Sequence, residues 1–81
     1  MTLSEIFDAL HGRAFTYLEC RDGRKFGGVR LAVNFCEDEN LEPACIEVKP
    51  DGLVLHFNSD DASGTNKRGE SVPFGEIVAV Q

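Results

Sequence analysis

The chain reads as a mainly β domain: an N-terminal α-helix followed by a five-stranded, strongly bent antiparallel sheet that curls toward a small barrel. Three observations predict this. The apolar spacing has a helical period over residues 2–11 and a period of two afterwards. Asp22-Gly23 and Pro50-Asp51-Gly52 are tight-turn signals that cut the remainder into short strands. Gly27-Gly28 falls inside the longest of these strands, where paired glycines mark a bulge or a sharp bend. The 81 residues suit one domain, 1–81, with no internal repeat and no linker.

The helix is predicted over 2–11, where Leu3, Ile6, Phe7 and Leu10 form one apolar stripe. Thr2-Leu3-Ser4-Glu5 fits a capping box, in which a hydroxyl and a carboxylate each satisfy a free backbone N–H. Ser4 is an alternative cap, and Gly12 is the C-terminal stop. Strands are expected at about 14–21, 24–35, 44–49, 53–58 and 72–80. In the third, Ala44, Ile46 and Val48 are expected on one face, with Cys45, Glu47 and Lys49 on the other. Residues 36–43 and 59–71 read as polar loops, and Pro73 fits only a strand start or an edge. The helix would cap one open end of the barrel.

Composition excludes several classes. Hydrophobic residues make up 42% and charged residues 27%, which is too apolar for a disordered acidic tail. No apolar run approaches the ~20 residues of a membrane-spanning helix. The start of the chain lacks the basic and apolar regions of a secretory signal. No membrane partner is expected, and the location expected is cytoplasmic. Cys20, Cys36 and Cys45 are odd in number and contain no C-x-x-C pair, which argues against a disulfide framework and for a reducing compartment. So small a domain has a thin stability margin, and self-association is the expected supplement.

The net charge is −6. A net acidic chain repels a polyanion unless its cations cluster. The distribution is uneven: residues 1–36 hold five cations against four carboxylates, and residues 37–81 hold three against ten.

This order of elements resembles the Sm-like (LSm) superfamily, a group of small SH3-like β-barrels. The residues carrying the resemblance are Asp22-Gly23-Arg24-Lys25-Phe26-Gly27-Gly28-Val29-Arg30-Leu31, which match the turn and small-residue pivot of the family's first motif. Its following Asp and Asn fall at Asn34 and Glu37, so the part that contacts RNA bases is missing. Lys67-Arg68-Gly69-Glu70-Ser71-Val72 looks like the Arg-Gly of the second motif. The resemblance implies a homo-oligomer joined through edge strands, with one face for RNA. Free edges invite such pairing on physical grounds too.

Three clusters are candidate sites. Arg21, Arg24 and Lys25 at the first turn, with Lys67 and Arg68 in the last loop, form a nucleic-acid candidate, and Phe26 or Tyr17 could stack on a base. Glu37, Asp38, Glu39 and Glu42 form an acidic candidate for a basic protein partner, and the same carboxylates disfavour RNA. Asp22, Gly23, Gly27, Gly28, Asp51 and Gly52 determine turns and bends. Asp60 and Asp61 with the acidic loop lack a calcium-loop pattern, and His11, His56 and the cysteines lack paired zinc spacing, so no metal and no cofactor is expected. The cysteines read as small core residues, and His56 as a partly exposed residue of the fourth strand. The expected function is a non-enzymatic, self-associating interaction module that binds a macromolecular partner, foremost a protein. RNA or nucleotide binding through 21–25 and 67–69 is the alternative, and a metal- or cysteine-dependent enzyme the second alternative.

Overall fold

The structure, a computed structural model, describes residues 1–11, 16–27, 33–37, 43–58 and 68–81. Helix α1 spans Leu3–His11. Its start is the predicted capping box: the Glu5 N–H donates to Thr2 Oγ1 at 3.1 Å, and the Thr2 N–H donates to the Glu5 carboxylate at 2.9 Å. The Thr2 N–H, more than any other group, holds the Glu5 carboxyl below its ordinary range. Ile6, Ala9 and Leu10 face the core, while Leu3, predicted on the same stripe, is 54% exposed. Gly12 lies outside the described residues.

The fold is mainly β, with seven short strands among the described residues: β1 Tyr17–Cys20, β2 Lys25–Gly27, β3 Asn34–Phe35, β4 Ala44–Lys49, β5 Gly52–Phe57, β6 Ser71–Pro73 and β7 Ile77–Val80. Among the described residues they form two sheets, ordered β2-β1-β7 and β3-β4-β5-β6, and neither closes into a barrel. The single five-stranded bent sheet is thus corrected to two sheets of three and four strands. Two local causes are visible. The strand predicted at 72–80 is interrupted by a 3-10 turn, Phe74–Glu76, which drops Phe74 into the core and sends β6 and β7 to different sheets. The strand predicted at 24–35 is likewise shared between β2 and β3, again in different sheets. Gly27 ends β2, whereas Gly28 lies outside the described residues.

The two predicted turns hold. Gly23 has φ 92°, and the Arg24 backbone N–H and guanidinium both donate to Asp22, at 3.1 and 2.8 Å. Backbone N–H donation from Arg24 is the leading cause that lowers the Asp22 carboxyl. Only Gly23 of this pair takes a positive φ. At the second turn Lys49 pairs with Gly52, leaving Pro50 and Asp51 as a two-residue loop and giving β4 and β5 six matched rungs.

β3 pairs with β4 in parallel, Asn34 with Cys45 and Phe35 with Ile46. The intervening connection is shorter than the dozen or so residues of a regular parallel crossover, and the ladder ends after two rungs. This pairing brings Cys36 beside β4, where its N–H donates to the Ile46 carbonyl at 2.8 Å. Cys36 and Cys45 are consequently disulfide-bonded, with Cα atoms 4.9 Å apart. The expectation of unpaired cysteines is corrected for these two. It stands for Cys20, a free, buried core residue whose thiol is pushed up by burial.

The core lies between the sheets under α1. Ile6 and Leu10 meet Leu18, Phe26, Ile46, Leu55, Phe57, Val72, Phe74 and Ile77. Phe26 of β2 stacks on Phe57 of β5 with ring centroids 5.3 Å apart, joining the two sheets directly. The strict alternation expected in β4 fails. Ala44, Cys45 and Ile46 are all buried, whereas Val48 is 67% exposed. The first half of β4 is covered on both faces and the second half projects beyond its cover.

Candidate functional site

The polar groups that the fold gathers stand on the four-stranded sheet. Cys45 pairs with His56, and His56 with Ser71, across three adjacent strands. Glu47 sits two residues along β4 from Cys45, on the same face. The His56 ring joins its neighbours: Nε2 lies 2.5 Å from Glu47 Oε1, and Nδ1 lies 2.6 Å from Ser71 Oγ. A carboxylate only accepts, so Nε2 carries a proton and donates to it. In the neutral ring Nδ1 then accepts the Ser71 hydroxyl. Such a chain ties three strands together. It also has the order of an acid–base–hydroxyl relay.

Beside it the disulfide opens on a cavity of about 420 Å³ lined by Cys36, Glu37, Cys45, His56, Asn58 and Arg68, among others. The Asn58 side-chain amide donates to Cys45 Sγ at 3.6 Å, and the Arg68 Nε–H donates to the Asn58 carbonyl at 3.2 Å. A second cavity, of about 370 Å³, lies between the helix start and the β5 and β6 strands, with Leu3, Leu53, Val54 and Pro73 in its wall.

At the margin of the same sheet, Phe7 and His11 stack one helical turn apart, with centroids at 4.9 Å. Phe35 of β3 leans on both, at 5.7 and 5.9 Å. The His11 Nδ1–H donates to the Val33 carbonyl at 2.9 Å, and the Val33 N–H donates to the Leu10 carbonyl at 2.8 Å. The end of α1 is thereby fastened to β3.

The predicted site residues are divided among separate places. Arg21 reaches the 3-10 turn: its N–H donates to the Glu76 carbonyl at 2.7 Å and its guanidinium to the Gly75 carbonyl at 3.3 Å. Arg24 is paired with Asp22 and lies 5.6 Å from the centre of the Phe26 ring. Phe26 is buried and so is not placed to stack on a base, while Tyr17 is half-buried. Lys25 is exposed on β2. None of residues 21–25 lines the cavity around Arg68. Lys67 lies outside the described residues. Of the acidic cluster, Glu37 is exposed at the rim of the disulfide cavity, and Asp38, Glu39 and Glu42 lie outside the described residues.

Sequence reasoning missed Glu47, Ser71 and Asn58, and gave Cys36 and Cys45 the wrong state. One signal was available: the two-residue turn at Pro50-Asp51 fixes the β4–β5 register and hence the Cys45–His56 pair. Among the described residues, no group of three or more His, Cys, Asp or Glu side chains gathers as a metal site. No helix among them is long and apolar enough to cross a membrane. No family model, curated protein or solved structure matched the chain.

Proposed function

We propose that the chain is a non-enzymatic interaction module that self-associates through a sheet edge and takes a protein partner. One observation carries this reading: among the described residues both sheets are open, and their four terminal strands are unequally protected. β2 carries the exposed Lys25, β3 has two residues, and β6 ends in Pro73, which has no N–H to offer. β7 has four apolar residues, Ile77-Val78-Ala79-Val80, with neither charge nor proline, and Val78 is exposed. Among the described residues it pairs with β1 on one side and ends its sheet on the other. An apolar edge of this kind favours strand pairing with a second chain. The exposed Leu3 and the apolar cavity beside it supply further contact area for a partner. A net charge of −6 would steer that partner electrostatically if it is basic.

Solution mass tests the reading. The expected result is a species heavier than the 8.9 kDa chain at micromolar concentration, returned to monomer by Val78→Lys. A strict monomer in the unsubstituted protein at that concentration would count decisively against it. Salt-dependent binding of short single-stranded RNA, lost on Lys25→Glu or Arg68→Glu, would instead favour the nucleic-acid reading. A cytoplasmic location remains part of the proposal, and the disulfide bears on it directly.

A further inference from the structure

The two kinds of cysteine in this fold have different surroundings. Cys20 is sealed in the core, whereas Cys36 and Cys45 are among the residues that line a cavity together with Asn58 and Arg68. At about 420 Å³ it falls within the ~300–1,000 Å³ of small-molecule clefts. The two bonded residues also differ from each other. Cys36 is half-buried, and Cys45 is 4% exposed. An incoming thiolate therefore reaches the Cys36 sulfur and displaces Cys45. The Asn58 amide already donates to Cys45 Sγ, so charge arriving on that sulfur meets a donor in place. His56 is the cross-strand neighbour of Cys45, but Glu47 and Ser71 occupy both of its ring nitrogens. The donor role thus falls to Asn58.

We propose that Cys36–Cys45 is an exchangeable disulfide, reacting in the folded protein with low-molecular-weight thiols of the glutathione class, with Cys36 the attacked sulfur and Cys45 the leaving one. In the first step a thiolate forms a bond to Cys36 Sγ as the Cys36–Cys45 bond breaks, and the electron pair departs on Cys45. In the second step another thiolate takes the small thiol off Cys36. Two thiols become one small disulfide, and the protein bond gains two electrons and, with protonation, two hydrogens. Intracellular disulfides are mostly catalytic or redox-sensing ones. The mechanical result of opening falls on β3, which is then held to β4 by its two rungs and the Cys36 N–H bond to the Ile46 carbonyl alone. The Phe7–His11–Phe35 cluster loses one of its anchors as well.

The test is exposure of the folded protein to graded mixtures of reduced and oxidised glutathione, acid quenching, alkylation and intact-mass measurement. The expected result is opening in the native state, at a rate independent of small additions of denaturant. The Cys45→Ser variant should accumulate a glutathione adduct on Cys36. The Cys36→Ser variant should form one on Cys45 at least about tenfold more slowly, and Asn58→Ala should slow opening of the native disulfide by roughly tenfold. Should a serine variant fail to fold, the unsubstituted protein decides alone. Opening that tracks global unfolding, or equal modification of the two sulfurs, would overturn the proposal. The outcome does not depend on self-association.

Discussion

β1 and β3 are both short strands, yet they are held by different physics. β1 has a partner on each side, and its Leu18 and Cys20 are sealed in the core. β3 has one partner among the described residues, and both of its own residues are exposed. What fastens β3 lies mostly beside it: the disulfide one residue later, the Val33 hydrogen bonds to α1, and the leaning of Phe35 on Phe7 and His11. Burial holds the first strand, while point attachments hold the second. A change in core volume should therefore act on β1 and everything packed on it. A change in redox state or a lost ring should act on β3 and leave the rest standing.

The largest expected effect is at β1. Leu18→Ala should destabilise the fold by about 2–5 kcal/mol, because it removes core volume where there is little to spare. Denaturant unfolding measures it, and loss of cooperative unfolding altogether would agree. A cost under ~1 kcal/mol would break the contrast. Next is the pair Cys36→Ser and Cys45→Ser, expected to cost about 2–3 kcal/mol for a loop this short. Hydrogen exchange should then show lost protection at Cys36 and Val33, with β1 protection retained in order.

His56→Ala should cost about 1 kcal/mol, since it removes the link between Glu47 and Ser71 while all three strands keep their backbone ladder. Glu47→Ala combined with His56→Ala should cost less than the sum of the two, which a double-mutant cycle reads directly. The smallest effect is at the helix start. Thr2→Ala should cost about 1 kcal/mol or less. Its partner Glu5, like Asp22, has a lowered carboxyl. Both groups thus favour the folded state above the ordinary carboxylate range and lose that contribution as pH falls from that range through their depressed values. Acid titration by circular dichroism should show a weaker pH dependence in Glu5→Gln than in the unsubstituted chain.

What the sequence disclosed follows the range of the interaction involved. The capping box, the Asp22-Gly23 turn and the β4–β5 register depend on residues within a few positions of one another, and they were legible. Pro73 on an edge strand was legible for the same reason. The split into two sheets was not, because it rests on Phe74 being drawn into a core assembled from the whole chain. Nor was the disulfide, because the two-rung parallel pairing of Asn34 with Cys45 and Phe35 with Ile46, which carries Cys36 to β4, has no local signature. The Glu47–His56–Ser71 chain falls between: the turn fixes two of its strands, but Ser71 arrives from a part of the chain that no short pattern connects to β5.

The position of β7 beside β1 also bears on the order of assembly. β4 and β5 can zip from their own two-residue turn, with no help from distant residues. The middle strand of the smaller sheet cannot be completed until residues 77–80 return to it from the far side of that hairpin, and closing so long a loop carries an entropic delay. Until Ile77–Val80 docks, the folding chain therefore has the hairpin formed and one flank of β1 bare, with Leu18 and Cys20 still short of their final cover. Limited proteolysis of a released chain truncated before Ile77 should cut near β1 and spare β4–β5. In the cell, this interval is when the chain would be most open to a chaperone, to a second copy of itself, or to oxidation at Cys20.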